Sequence, residues 1–183
     1  MSSKPQRADA RRNRERILAA AEEVFARRGT AASTDEVAAR AGVAIGTVFR
    51  HFPTKQDLLA AIVKDLLARL TAEVTELASG DPATALFDFF ARVVEQAAAK
   101  KAVVELLAQQ GVAVGVADPV RGLHDAVGVL LERARSAGAV REEVRLDEVM
   151  ALLTATAQGA LQGGWSADLR DRTLEVIFAG LRP

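Results

Sequence analysis

Several side chains that lie close together in the sequence carry groups that bind nucleic acid. Thr47 provides a hydroxyl group, and Arg50 and Lys55 provide positive charge. Hydroxyl groups and cations bind phosphate oxygens, and an arginine can also pair with the acceptor edge of guanine. These residue types in one short interval predict a surface that contacts the backbone and the base edges of DNA.

The residues between these side chains predict the structure that positions them. Val37 and Ala41 share one face of a short helix, and Gly42 permits a turn with a positive φ. Val48 and Phe52 share one face of a second short helix. Two short helices joined by a glycine turn form a helix-turn-helix, whose second helix enters the major groove of DNA.

The second short helix leaves an outer surface that suits a DNA groove. We expect Gly46 to admit the groove wall close to the backbone, and Phe49 to lie against a thymine methyl group. At the start of the next helix, Lys55 and the exposed amide groups suit one phosphate. The residues of the second helix that are predicted to face outwards are Ile45, Gly46, Thr47, Phe49, Arg50 and His51.

Other chemistries have little support in the sequence. The chain contains no cysteine, no tyrosine and two histidines, of which His51 lies inside the interval already described. It has no HExxH pattern, no nucleophile elbow and no phosphate-binding loop. We therefore expect no enzyme activity, no metal site and no cofactor. An alternative is a small-molecule-binding or interaction module whose DNA binding is weak or lost.

The net charge of zero conceals an asymmetry between the two ends of the chain. Residues 1–58 carry eleven Lys and Arg against seven Asp and Glu, whereas residues 59–183 carry 13 against 17. A basic end is typical of a protein that meets a polyanion. The first cations either form a flexible arm that enters a minor groove or belong to a tail that only increases solubility. They are Lys4, Arg7, Arg11, Arg12, Arg14 and Arg16.

Helical periodicity runs along the whole chain, whereas strand patterns are missing. A helix is predicted over residues 9–28, and its Ile17 and Phe25 complete a three-helix core with the two short helices. Ser33 and Glu36 have the spacing of a capping box for the first short helix. We expect an all-α protein of about nine helices. Later helices are predicted to begin at Thr54, Asp81 and Asp118 and to cover residues 147–162 and 167–181.

Residues 41–59 resemble the DNA-binding signature of the TetR family of transcriptional regulators, with the sequence AGVAIGTVFRHFPTKQDLL. The family pattern reads alanine, glycine, valine, serine, any residue, glycine, threonine, an aliphatic residue, tyrosine, any residue, histidine and phenylalanine. A lysine and a leucine follow at fixed spacing. The resemblance covers about residues 10–60, and beyond them it extends only to length and helical character.

The resemblance implies a role for each matching residue. Phosphate contacts are implied for Thr34, Thr47, His51 and Lys55, and groove contacts for Ile45, Gly46, Phe49 and Arg50. Two residues depart from the pattern. Ala44 replaces a serine or threonine and so lacks a cap and a phosphate contact, and Phe49 replaces a tyrosine and lacks its hydroxyl group. Each loss weakens binding by about 1 kcal/mol.

The resemblance also implies two domains, with DNA binding in residues 1–58 and ligand binding and dimerisation in residues 59–183. The last two predicted helices carry broad apolar faces that can pack in their own core and against a second copy of the chain. The alternative is that these faces lie entirely in the core of a monomer. We expect a homodimer, because a palindromic operator requires two DNA-binding heads.

A pocket for a small hydrophobic effector is implied in the second domain, with few polar groups to orient the ligand. Each candidate also has a simpler interpretation, in which phenylalanines form core, His124 lies on the surface and Trp165 fills space between helices. The candidates are Phe87, Phe90, Gln109, Gln110, His124, Gln158, Gln162 and Trp165, together with the stretch 112–116.

The combined expectation is a ligand-responsive repressor that binds a palindromic DNA operator as a dimer. Ligand binding is expected to move the helix that begins near Thr54 and so to change the separation of the two heads. The absence of cysteine, of an apolar leader and of a membrane-spanning segment favours a cytoplasmic protein that is not bound to a membrane.

Overall fold

A computed structural model describes residues 4–99 and 117–183, and all regular secondary structure within these ranges is helical. The ranges hold eight α-helices, close to the predicted nine. The helices are α1 Lys4–Arg28, α2 Thr34–Ala41, α3 Ile45–His51, α4 Lys55–Leu77, α5 Ala85–Ala99, α6 Ala117–Ser136, α7 Leu146–Gly163 and α8 Ala167–Leu181, with a short 3-10 turn, Gly29–Ala31, after α1.

Capping boxes start two of the helices in the first part of the chain. The Ser33 side chain accepts a hydrogen bond from the Glu36 amide at 3.2 Å, and the Glu36 carboxylate accepts one from the Ser33 amide at 3.0 Å. Thr54 and Asp57 make the same pair of bonds at the start of α4, at 3.1 and 3.0 Å. The predicted starts of α2 and α4 are therefore confirmed, because each box satisfies two amide groups that the helix itself leaves unpaired.

The capping box before α2 is sensitive to acid. The hydrogen bond from the Ser33 amide holds the pKa of Glu36 below its ordinary value, and the positive charge of Arg28, 3.1 Å away, lowers it further. A carboxyl group whose pKa is lowered by folding stabilises the protein above its unfolded pKa, about 4.3 for glutamate. That contribution is lost as the pH falls through the lower pKa of the folded protein.

The first compact unit extends to Asp65. Its core is built from α1, α2, α3 and the first turns of α4, and its most buried side chains lie on the inner face of each helix. Ile17, Phe25, Val37, Val48 and Leu58 are all 0% exposed. This cluster confirms the predicted three-helix core and adds α4 to it.

The second compact unit begins at Leu66, and its described part covers residues 66–99 and 117–183. Helices α5, α6, α7 and α8 enclose a core in which Phe89, Phe90 and Leu130 are each 1% exposed. The division between the two units falls inside α4. The predicted boundary between residues 58 and 59 lies in the same helix and stays a prediction.

Two predicted helix starts are wrong. Helix α1 begins at Lys4 and not at Asp9, because Pro5 occupies the first turn, where its missing amide hydrogen costs no hydrogen bond. Helix α5 begins at Ala85, but the predicted cap at Asp81 is present, because the Asp81 side chain accepts from the Ala83 amide at 2.9 Å and the Asp81 carbonyl accepts from the Ala85 amide at 3.0 Å. None of the helices in the described ranges is long and apolar enough to cross a membrane.

Replacing the cap of α2 tests the first unit. Ser33→Ala removes the acceptor for the Glu36 amide and should lower the free energy of unfolding by about 1 kcal/mol. Urea unfolding followed by circular dichroism at pH 7 measures the loss. Ser33→Thr keeps a hydroxyl oxygen at the same position and is the matched control. An equal loss in both variants would contradict the capping role.

Candidate nucleic-acid interface

The turn between α2 and α3 has the geometry that the sequence predicts. Gly42 adopts φ 63° and ψ 41°, in the left-handed region that favours glycine. The Gly42 amide donates to the Ala39 carbonyl at 3.2 Å, and the Val43 amide donates to the Ala38 carbonyl at 3.1 Å. These bonds close the end of α2 and allow the chain to change direction before α3 begins at Ile45.

Two apolar side chains anchor α3 to the core of the first unit. Val48 is fully buried and Phe52 is 3% exposed. Ala38 of α2 is also buried, and its small side chain allows α3 to pack closely. Because Val48 and Phe52 lie on the same side of the short helix, the residues between them are left on its outer side.

The outer side of α3 presents an apolar ring, a cation and a bare backbone. Phe49 is 44% exposed, and Arg50 is exposed beside it. Gly46 is also exposed, and a Cβ atom added there would meet no atom within 4 Å. Glycine at this position is therefore not required by packing within the chain, and the space in front of its backbone is open. Thr47 is half-buried.

Three of the residues predicted to face outwards, Ile45, Thr47 and His51, are half-buried. Ile45 is half-buried and packs against the core of the first unit, because it lies three residues before Val48 and seven before Phe52 on the same helical face. His51 is half-buried, with its ring 6.2 Å from the Phe52 ring. Both side chains therefore belong partly to the anchor of α3.

The N-terminus of α3 lacks a side-chain cap. Ala44 occupies the cap position with φ −67° and ψ 144°, and no side chain there accepts a hydrogen bond. Serine would fit this backbone, because Ser166 has nearly the same angles, φ −64° and ψ 162°, and caps α8 through a bond from the Leu169 amide at 3.2 Å. The departure at residue 44 therefore removes a cap that the geometry permits.

Lys55 has an intramolecular role that sequence reasoning missed. It is the first residue of α4, and its ammonium group donates to the Ala32 carbonyl at 2.8 Å and lies 5.5 Å from the centre of the Phe25 ring. These contacts attach the start of α4 to the segment after α1. The carboxylate of Asp57 already lies at the same helix N-terminus, 3.0 Å from the Thr54 amide.

Thr34, for which a phosphate contact is implied, is the first residue of α2 and is half-buried.

The basic residues at the start of the chain belong to a helix rather than to a flexible arm. Helix α1 includes residues 4 to 28. Arg11 pairs with Glu15 at 3.5 Å, and the Arg14 guanidinium lies 5.5 Å from the centre of the Phe52 ring. The Arg16 guanidinium donates to the Ala41 carbonyl at 2.6 Å. Long cationic side chains thus fold back onto the helix-turn-helix, which residue type alone does not reveal.

Within residues 85–99 and 117–183, the predicted ligand residues have different surroundings. Phe87 and Phe90 are buried, and each makes an edge contact with Phe178, with ring centres 4.9 and 5.6 Å apart. The Trp165 ring lies against the backbone of Gly159 and Gly163, where an added Cβ would be 2.8 and 2.5 Å from it. His124, Gln158 and Gln162 are exposed. Gln109, Gln110 and the stretch 112–116 lie outside the described residues.

Two clefts in the described parts of the second unit are lined by residues other than the predicted ligand residues. One of about 350 Å³ lies beside Pro82, Arg133 and Ser136, and one of about 450 Å³ lies beside Gly128, Val129 and Leu146. Neither is lined by a predicted ligand residue. The described residues also contain no cluster of three or more side chains that could hold a metal ion.

Two family profiles match this chain. The profile for bacterial regulatory proteins of the tetR family matches residues 17–62, which include α2 and α3. The profile described as "Transcriptional regulator SbtR-like, C-terminal domain" matches residues 81–183. Together they cover most of both compact units.

Solved structures resemble the chain over nearly its whole length. A TetR transcription regulatory protein from Mycobacterium vanbaalenii has 37% identity and a TM-score of 0.79, and the match covers 98% of this chain and all of that one. The TetR transcriptional regulator SCO0520 from Streptomyces coelicolor has 32% identity and a TM-score of 0.74, over 93% and 98% of the two chains.

A curated relative matches over a shorter region. The HTH-type transcriptional repressor Rv3405c from Mycobacterium tuberculosis is 42% identical over 82 residues, and the match covers 44% of each chain. The fold, the outer side of α3 and these comparisons define a DNA-binding transcriptional regulator. The chain belongs to the TetR family, as its signature in residues 41–59 predicts.

Restoring the missing cap tests the description of α3. Ala44→Ser should raise the free energy of unfolding by about 1 kcal/mol, because the serine oxygen can accept from an unpaired amide in the first turn. Ala39→Ser, at an exposed position inside α2, is the control and should be neutral or slightly destabilising. Urea unfolding measures both. An Ala44→Ser variant no more stable than Ala39→Ser would contradict the capping geometry.

Proposed function

We propose that this protein is a ligand-responsive repressor that binds a palindromic DNA operator as a homodimer, with α3 of each copy in the major groove. The observation that carries the proposal is the placement of Phe49 and Arg50 on the exposed side of a helix whose other side is anchored by Val48 and Phe52. A fixed helix that exposes a ring, a cation and an open backbone suits a groove of base edges.

Base contacts are assigned to the exposed part of α3. Arg50 pairs with guanine, Phe49 covers a thymine methyl group, and Gly46 allows the groove wall to approach the backbone. Ile45 contributes only its exposed part. Ala44, at the exposed N-terminus of the helix, lies at the edge of the contact area without a hydroxyl group to donate.

Phosphate contacts are assigned to the residues that border α3. Thr34 and Thr47 donate through hydroxyl groups, and His51 and Lys55 donate through nitrogen atoms. The Lys55 ammonium already donates to the Ala32 carbonyl at 2.8 Å. A phosphate would therefore bind an ammonium group that is already held in place, which reduces the entropy lost on binding.

A homodimer is supported by exposed apolar side chains on the last two helices. Leu169 and Val176 of α8 are seven residues apart on one helical face and are 48% and 75% exposed. Leu152 of α7 is 37% exposed. These exposed apolar side chains suit packing against the same two helices of a second copy of the chain.

The proposal also includes a cytoplasmic location and a small hydrophobic effector that controls DNA binding. Helix α4 supports control by an effector, because its residues contribute to the core of both compact units. Trp165 is the only tryptophan of the chain, so its fluorescence can report binding in the second unit during a screen of apolar compounds. A dimer whose operator affinity did not change with any bound compound would contradict the effector part of the proposal.

Selection of bound duplexes from a random library tests the DNA part and supplies the probe for the variants below. The expected product is an inverted repeat whose half-sites are separated by about 34 Å, one turn of DNA. Recovery of no enriched sequence would favour the alternative of a binding module without specific DNA recognition.

Arg50 and Lys55 should affect DNA binding in different ways. Arg50→Ala should lower affinity for the selected duplex by about tenfold and relax sequence preference at one position of the half-site. Lys55→Met should weaken binding to selected and random duplexes alike and lower the salt slope by about one per subunit. Fluorescence anisotropy titrations over a range of salt concentrations measure both effects.

Lys64→Met is the matched control for Lys55→Met, because Lys64 is exposed on the same helix, nine residues later. It should leave the affinity and the salt slope unchanged. Methionine keeps an apolar stem in place of the lysine stem at Phe25, which limits the loss of stability of Lys55→Met.

For Arg50→Ala, equal losses of affinity on selected and random duplexes would make Arg50 a phosphate contact instead of a base contact.

Val176 tests the dimer interface. Val176→Asp places a charge on the proposed interface and should convert the dimer to monomers, because an unpaired charge is costly to bury between subunits. Val120→Asp, at a 48% exposed valine of α6, is the control and should leave the dimer intact. Sedimentation velocity measures both masses. A dimeric Val176→Asp variant would place the interface elsewhere.

A further inference from the structure

Arg16 of α1 contacts the turn of the helix-turn-helix. Its guanidinium group donates to the Ala41 carbonyl at 2.6 Å and lies 3.4 Å from the Gly42 carbonyl. Ala41 is the last residue of α2, and Gly42 is the left-handed residue that follows it. Arg16 therefore attaches α1 to the point at which the chain changes direction between the two helices of the motif.

The position of this contact complements the backbone bonds of the turn. The amides of Gly42 and Val43 donate to the carbonyls of Ala38 and Ala39. Arg16 donates to two carbonyls further along the chain, those of Ala41 and Gly42. The C-terminus of a helix carries partial negative charge, so a guanidinium group placed there is favourable both as a donor and as a cation.

Gly42 combines a left-handed backbone with a close approach of Arg16. Its φ of 63° disfavours any residue with a side chain, and a Cβ atom added to it would lie 2.9 Å from the Arg16 guanidinium nitrogen. The guanidinium group thus lies directly against the Gly42 backbone, although only the left-handed φ requires glycine there, because the end of an arginine side chain can shift. The turn and the arginine form one structural unit.

This unit matters because α3 has few contacts at its N-terminal end. The helix has seven residues, and Ala44 provides no side-chain cap. Its buried anchors, Val48 and Phe52, lie in the middle of the helix and just beyond its end, and Ile45 at its start is only half-buried against the core. The direction of the first turn of α3, which includes Gly46, therefore depends on the preceding turn together with the Ile45 contact.

We propose that Arg16 is a positioning residue for DNA recognition, which holds the turn before α3 through the Ala41 and Gly42 carbonyls and does not act as a phosphate contact. This inference rests on the proposed function of α3 as the helix that reads the operator. It assigns to one cation of the basic N-terminal stretch a role in sequence discrimination rather than in electrostatic attraction.

The two roles differ in a measurable way. A cation that neutralises a phosphate contributes to binding of any sequence, and its loss lowers the salt slope by about one per subunit. A residue that orients the recognition helix contributes only where base contacts are made. Its loss lowers the ratio of selected-duplex affinity to random-duplex affinity and leaves the salt slope unchanged.

The test compares Arg16→Met, Arg16→Lys and the control Arg11→Met in the full-length protein. Methionine keeps an unbranched stem without donors, whereas lysine keeps the charge and a donor for the carbonyls. Arg11 lies on the same helix with a side chain 79% exposed and paired with Glu15, away from the turn. The probes are the selected duplex and a random duplex of equal length and base composition.

We expect Arg16→Met to lower the affinity ratio of selected to random duplex by about tenfold with an unchanged salt slope. Arg16→Lys should retain most of the ratio, and Arg11→Met should leave the ratio unchanged. In 15N-labelled protein, Arg16→Met should shift the amide signals of Gly42 and Val43, whereas Arg11→Met should not. Loss of stability alone would not lower this ratio in protein that urea titration shows to be folded.

Four results would overturn the proposal, the last of them together with the proposed function. A salt slope lowered by about one on both duplexes would make Arg16 a phosphate contact. An unchanged affinity ratio in folded Arg16→Met would remove the positioning role while leaving the proposed function of α3 intact. If Arg16→Met does not fold, a tenfold lower ratio in Arg16→Lys with wild-type amide signals at Gly42 and Val43 would contradict the mechanism. Failure of the wild-type protein to select any duplex would instead overturn the proposed function and this role together.

Discussion

The burial of Val48 and Phe52 is the constraint on which the DNA-binding surface depends. A helix of seven residues is not stable in water on its own, because its few backbone hydrogen bonds do not offset the cost of nucleation. Helix α3 therefore exists because α1, α2 and the start of α4 bury one side of it. The same burial leaves Phe49 and Arg50 on the opposite side. Formation of the core and exposure of the recognition surface are thus one event.

Polar contacts around this core determine how the short helices are oriented. The capping box of Ser33 and Glu36 begins α2, Arg16 binds the carbonyls at its end, and Lys55 binds the Ala32 carbonyl from the start of α4. Each bond pairs a backbone group that the helices leave unsatisfied. Cations that sequence patterns assign to DNA thus also stabilise the head, and a single residue such as Lys55 can serve both purposes.

The second unit is organised by aromatic contacts and by small residues. Phe178 of α8 meets Phe87 and Phe90 of α5 edge-on, and Trp165 packs on the glycine backbone of α7. These contacts use the inner side of α8 and leave Val176 on its outer side.

The sequence by itself determined the helical class, the capping box of Ser33 and Glu36, the cap at Thr54, the glycine turn and the family, because these depend on local periodicity, local hydrogen bonds and a short ordered motif. It did not determine that Ile45, Thr47 and His51 are half-buried, since helical spacing does not say how wide the buried face of a packed helix is. It also left open whether the first cations form a flexible arm or a solubilising tail, whereas residues 4–28 form a helix. Whether Arg14 and Arg16 extend to solvent or fold back onto Phe52 and Ala41 depends on contacts between residues 25 or more positions apart. Only the tertiary structure decided which cations face outwards and which hold the helix-turn-helix together.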